Sequence, residues 1–332
     1  MLEKLGICQW FHYRAHEDVR RAVRLMQELG VRHVRTGISW ADFHRPRGQA
    51  WHDWLLRTLH DAGFELLVSV WHTPPSISVG GCCASPPRRL EDYAAFIGQV
   101  IETWGRQIAA IELWNEPNNL YKWDFNRFDP TWSRFARMVA AAGAVARDHG
   151  MPTVLGGMIP VDADWLRRLS RDGALEAVDV VAIHAFPEMW WRDAPSWDCY
   201  ETWHGWPEKI ARAASAAGGR PIWVTETGLA TWDAARARLG RHELQARRLS
   251  LAASAPVPRL YWYSLIDLDP RREAIEGFHV DENEYHLGLV TAGGRPKPAF
   301  ERFARLLAGE AQPEHADRPT PPQPAVAAVA RG

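Results

Sequence analysis

Ile111-Glu112-Leu113-Trp114-Asn115-Glu116-Pro117-Asn118 is an apolar run that ends abruptly in a carboxylate held between an amide and a proline. A short apolar run closed by turn-forming residues reads as a buried strand, so Glu116 stands where a strand delivers an acid to a site. Pro221-Ile222-Trp223-Val224-Thr225-Glu226-Thr227-Gly228 repeats the plan further along. Six more runs flank these two: Leu5 to Trp10, Val31 to Trp40, Glu65 to Trp71, Thr153 to Met158, Val178 to Phe186 and Arg259 to Asp267. Between them the helical period recurs, as in Val19, Val23, Met26 and Leu29 ahead of Gly30, or Tyr93, Ile97, Val100 and Trp104 ahead of Gly105. The last helix begins at Pro298 with Phe300, Phe303, Leu306 and Leu307 on one face. Eight strand-helix units in about 300 residues predict a single (β/α)8 TIM barrel. A doubly wound sheet competes, but no G-x-G-x-x-G phosphate loop follows the first run. The barrel should fill residues 1–309, and the alanine- and proline-rich stretch 310–332 reads as a disordered tail.

With 39 basic and 40 acidic side chains and a net charge of −1, the chain lacks the footprint of a nucleic-acid or anionic-membrane binder. An uncharged partner is expected. No stretch is apolar for long enough to span a bilayer, and Met1 to Cys8 has no secretion-signal core, which predicts a soluble, cytoplasmic protein. Nothing in the pattern sets an oligomeric state. Cys8, Cys82, Cys83 and Cys199 lack metal-ligand spacing and read as free thiols. Tryptophan is the outlier, with 18 residues, many beside strand ends. Its flat apolar face with one donor suits the C–H face of a sugar ring as well as a protein core.

A TIM barrel carries its site at the C-terminal ends of the strands. Those ends hold His12, Arg35 and Trp40, Trp71-His72, Asn115-Glu116, His184 with Phe186, Glu226, and Trp262 with Asp267. Two carboxyls facing each other across a cleft can cleave an acetal, one protonating the departing oxygen while the other attacks the anomeric carbon or activates water. The acid needs a raised pKa, and the nucleophile needs cations and donors that keep it ionised. Arg35 is the candidate to hold Glu226 charged, with His72, His184 and Asn115 as hydrogen-bond donors and Trp40, Trp123 and Trp262 as substrate-binding aromatics. Trp123 belongs to a candidate rim loop, residues 121–126. No H-x-H or H-E-x-x-H spacing occurs, so neither a metal nor an organic cofactor is expected.

The W-N-E-P-N segment at Trp114–Asn118 and the T-E-T-G segment at Thr225–Gly228 resemble clan A glycoside hydrolases, over residues 5 to about 307. Family 39, with its β-xylosidases and bacterial polysaccharide-locus hydrolases, is nearest, and family 5 follows. The resemblance implies that Glu116 is the general acid/base and Glu226 the nucleophile of a retaining β-glycosidase, with Arg35, His72, Asn115, His184 and Trp262 at matching positions. The implied substrate is an oligo- or polysaccharide. One position departs: where many members carry a tyrosine two residues after the strand-six histidine, this chain has Phe186. Either Tyr261, Tyr263 or Tyr200 supplies that hydroxyl, or Arg35 alone tunes the nucleophile. The departure also leaves open a carbohydrate-binding barrel with little turnover, and the tryptophan content a transglycosylase.

Overall fold

The computed structural model describes residues 3–186, 206–233, 236–272 and 282–310. Eight strands, each parallel to its neighbours, close into a barrel in chain order: β1 (Leu5–Cys8), β2 (His33–Ser39), β3 (Glu65–Trp71), β4 (Ile108–Leu113), β5 (Thr153–Met158), β6 (Val180–Ala185), β7 (Ile222–Thr227) and β8 (Leu260–Tyr263). The ring is sealed by β1 against β8, with Leu5 opposite Leu260 and Cys8 opposite Tyr263. The chain is therefore a single (β/α)8 barrel. Of the expected tail, 310–332, residues 311–332 lie outside the described residues, as do Cys199 and Tyr200.

Helices α1 (His16–Leu29), α2 (Gly48–Asp61), α3 (Glu91–Trp104), α4 (Ser133–Asp148), α5 (Ala163–Arg171), α6 (Trp206–Ala216), α7 (His242–Ala253) and α8 (Pro298–Ala308) surround it. Each lays an apolar stripe on the strands. In α1 the buried residues are Val19, Ala22, Met26 and Leu29, three and four apart, and the helix stops where Gly30 turns left-handed at φ 75°. Helix α8 starts on a proline and packs on α7 and α1, closing the outer ring.

Strand ends differ from the sequence reading where side chains capture the backbone. The second strand stops at Ser39, whose hydroxyl accepts from Asp42 N and caps a helical turn, Trp40–Phe43. The eighth stops at Tyr263, because Leu265 N and Ile266 N donate to the Gln9 side-chain carbonyl, 3.1 and 3.2 Å away, and not to a strand. Among the described residues no helix is long and apolar enough to cross a membrane.

Candidate active site

Arg35 and Glu112 are charged, lie in the middle of strands and have no solvent exposure. Both point into the barrel, because Arg35 reaches side chains on or just after three strands, β1, β4 and β7. Its Nε and Nη2 lie 2.7 and 2.6 Å from Glu112 Oε2, Nη1 donates to Glu226 Oε1 at 2.5 Å, and Nη2 donates to Asn115 Oδ1 at 2.8 Å. The guanidinium also lies 5.1 Å from the Trp10 ring centroid. Burial opposes its charge, but the Glu112 and Glu226 carboxylates hold it as a cation. Glu112 Oε1 takes two more donors, Gly157 N at 3.2 Å and Thr225 Oγ1 at 3.0 Å. Breaking such a buried pair leaves a bare charge, so it fixes the geometry around it.

Glu226 sits beside His184 in the β6–β7 register. Its Oε1 accepts from Arg35 and from Trp10 Nε1 at 3.2 Å, with the Cys8 thiol at 3.6 Å. Its Oε2 lies 3.6 Å from His184 Nδ1. Glu116 follows β4 in a left-handed backbone at φ 45°, two residues after Trp114 at φ 76°. Two such non-glycine conformations in one turn are the kind of strain that persists at sites the surroundings over-determine. The turn is pinned by Asn118, whose Oδ1 accepts from Ile159 N and whose Nδ2 donates to Pro160 O, both at 2.8 Å. Glu116 Oε1 lies 3.0 Å from His184 Nδ1, and Oε2 accepts from Asn119 Nδ2 at 3.1 Å. One carboxylate oxygen from each glutamate and a His184 ring nitrogen all fall within 4.8 Å of one another.

Burial pushes the Glu116 carboxyl up, but the His184 hydrogen bond and charge, the Lys122 ammonium and the Asn119 amide together hold it below the usual carboxylate range. Lys122 is itself buried, 4.9 Å from the Trp71 ring centroid, and burial lowers its pKa against the pull of Glu116, Glu226 and Glu284. His72, at φ 68°, lies tilted against the Trp71 ring with Nδ1 3.3 Å from Ser39 Oγ. Burial and then Lys122 push it down to about 3, so its imidazole is neutral. Burial raises the Cys8 thiol well above its usual value, leaving an S–H beside Glu226 and not a thiolate. The three atoms of Glu116, His184 and Glu226 have a spacing that three metal ligands could share. Here Arg35 and Lys122 already supply the positive charge a cation would bring.

The structure thus gathers Arg35, Asn115, Glu116, His184 and Glu226 into one cluster, with His72 at its edge over Trp71. The three tryptophans read as substrate-binding are all buried. Trp40 is buried between barrel and helix, stacked on Phe96 of α3 at 5.4 Å. Trp123 has no exposure, meets Trp114 and Phe135 edge-on and donates Nε1 to Asp129 Oδ2 at 3.2 Å. Trp262 is fully covered on β8, opposite Ile7 and Thr227. Trp10, Lys122, Glu112 and Thr225 are in the cluster without having been chosen from the sequence. For Glu112 there was a signal: a lone carboxylate inside an apolar strand has to be paired. Phe186 meets Tyr263 edge-on at 6.1 Å. The Tyr263 hydroxyl is pushed well above its usual range by burial, then by the charges of Glu284, Glu226, Cys8 and Glu116.

No family model matches the sequence, and no curated protein matches it. Solved structures do match the fold. A family 39 glycoside hydrolase from Bacteroides cellulosilyticus WH2 is 18% identical with a TM-score of 0.64, covering 91% of this chain and 62% of its own. A monomeric β-xylosidase from Caulobacter crescentus CB15 is 17% identical with a TM-score of 0.63, covering 92% and 68%. A family 5, subfamily 18 enzyme from Bifidobacterium longum subsp. longum, in complex with Manβ1-4GlcNAc, is 15% identical with a TM-score of 0.69, covering 93% and 80%. At these identities the likeness is one of fold, and the chain spans less than two thirds of the family 39 enzyme it matches.

Proposed function

We propose that this barrel is a retaining β-glycoside hydrolase acting on an oligo- or polysaccharide, with Glu116 as acid/base and Glu226 as nucleophile. The observation that carries this reading is the separation of at most 4.8 Å between oxygens of the two buried carboxylates. Retaining enzymes hold their carboxyls about 5 Å apart, too close for the water that an inverting enzyme places between them. Glu226 Oε1 is held by Arg35 and Trp10, so Oε2 is the oxygen that attacks the anomeric carbon. Asn115 gives its carbonyl to Arg35, which leaves its NH2 for a sugar hydroxyl. The glycosidic oxygen takes a proton from Glu116 as its bond to carbon breaks. Water then attacks the ester on Glu226 and returns a proton to Glu116. A nucleophile with donors from Trp10 and Arg35 argues for turnover over mere binding.

Azide rescue tests the roles. The β-xylosidase and the Manβ1-4GlcNAc complex among the structural neighbours make aryl β-xylosides and β-mannosides the first substrates of the panel. On the dinitrophenyl glycoside the wild type cleaves, Glu116→Ala with azide should yield the β-azide and Glu226→Ala the α-azide. The reverse pairing, or an α-configured first product from the wild type, contradicts the reading.

A further inference from the structure

The hydrogen bonds behind Glu116 form a directional chain. Glu112 accepts from Arg35, and the single hydrogen of the Thr225 hydroxyl points to its Oε1 at 3.0 Å. Thr225 Oγ1 must then accept from its other neighbour, His184 Nε2 at 2.9 Å, which places a hydrogen on Nε2. The opposite ring nitrogen, Nδ1, lies 3.0 Å from Glu116 Oε1. In the neutral Nε2–H tautomer Nδ1 is a lone pair, and a lone pair facing a carboxylate oxygen at that distance is repulsive unless a proton lies between them. All four groups are buried, so water cannot intervene cheaply.

We infer that His184 Nδ1 stores the proton that Glu116 delivers, and that Thr225 and Glu112 are positioning residues that keep the imidazole in the one tautomer able to do so. This rests on the glycosidase reading of the site. In the first step the proton passes from Nδ1 through the Glu116 carboxyl to the glycosidic oxygen, while the bond from that oxygen to the anomeric carbon breaks and the bond to Glu226 Oε2 forms. Glu116 is left ionised and His184 neutral. In the second, the attacking water gives its proton to Glu116, from which Nδ1 recovers it, and the bond between Glu226 and carbon breaks. The proton count is restored after each turnover. The store also explains how a carboxyl held below its usual range can act as an acid: its proton is kept one hydrogen bond away. Gly157 fits the same arrangement, since a Cβ there would lie 2.1 Å from the His184 ring while its N–H donates to Glu112.

Two readouts test this on the full chain. In 15N-histidine spectra, with the His184 signal identified by its loss in His184→Asn, Nε2 should stay protonated from pH 5 to 8. A neutral Nδ1–H tautomer overturns the inference, and it does so whether or not any glycoside is cleaved. In kinetics, Thr225→Val should cut kcat/KM about a hundredfold on an alkyl glycoside, which needs an acid, and no more than about threefold on the dinitrophenyl glycoside, which does not. Thr225→Ser should restore both. Equal losses on the two substrates mark a merely structural role and overturn it. Failure of every glycoside with Nε2 protonated would sink the glycosidase reading and leave the tautomer lock standing.

Discussion

Arg35 and Glu112 face each other fully buried, so neither tolerates loss of the other. Glu112→Leu should lower stability by roughly 3–5 kcal/mol, read as a shift of the urea midpoint, because it leaves the buried guanidinium with Glu226 as its remaining carboxylate. Trp10 and Trp123 make opposite cases. Trp10→Phe removes one donor to Glu226, and hydrogen bonds to charged groups are worth roughly 1.5–3 kcal/mol, so kcat/KM should fall about tenfold or more with little change in Tm. Trp123→Phe should cost about 1–3 kcal/mol of stability through the lost hydrogen bond to the Asp129 carboxylate, while kcat stays near wild type. A loss of activity in Trp123→Phe without a loss of stability would return that residue to the substrate site. At this scale the sequence shows chemical type but not direction. Glu116, Glu226, Arg35, Asn115 and His184 were legible as a polar group because polar residues in or just after apolar strands have few structural reasons to be there. Tryptophan was not, because the same ring serves a core and a sugar, and only coordinates distinguish Trp10 from Trp123. Thr225 was hidden by its ordinariness: a threonine in a strand announces nothing until its two partners are seen.

Strand β5 shows how an element that bears no reactive group shapes the site. Its sequence Thr153-Val154-Leu155-Gly156-Gly157-Met158 spends two residues on side chains that are absent. A Cβ on Gly156 would lie 2.3 Å from the Trp114 carbonyl oxygen, against the turn that presents Glu116. Gly157→Ala would press on the His184 ring with no flexible atom to yield. We expect a cost of about 1–3 kcal/mol for overpacking, with kcat/KM reduced well beyond what that loss alone would produce at assay temperature. Comparing Tm with kcat/KM on one substrate checks it, and unchanged activity would mean that the ring can move freely. The eight strands were readable as apolar runs because parallel strands in a barrel are covered on both faces and need no alternation. Their ends were less so. Gln9 taking Leu265 N and Ile266 N, or Ser39 capping the next turn, are side-chain captures of backbone that no periodicity reveals.

Over the whole molecule, stability should depend on histidines far from the reaction as well as on those within it. His33 and His52 are pushed down to about 4 and His72 to about 3, in each case chiefly by burial. The three sit at different places around the barrel: on β2 against Glu65, on α2 against the Gly48 carbonyl, and after β3 over Trp71. An unfolded chain takes a proton on each near pH 6.5, whereas the folded chain refuses it until pH 3 to 4. Between those values the unfolded state binds more protons, so stability is greatest above about pH 6.5 and falls as the pH drops toward 4. For His52, which is 3% exposed, the gap between 6.5 and about 4 corresponds to about 3 kcal/mol lost between pH 7 and pH 4. His52→Leu fills similar space without titrating and gives up only the hydrogen bond to Gly48 O. Its stability at pH 7 should therefore lie below that of the wild type, and the difference should shrink or reverse by pH 4. Urea unfolding of both proteins across that range measures the difference directly. Two parallel curves would mean that His52 is protonated in the folded protein after all, and that the acid sensitivity of the barrel lies with its carboxylates.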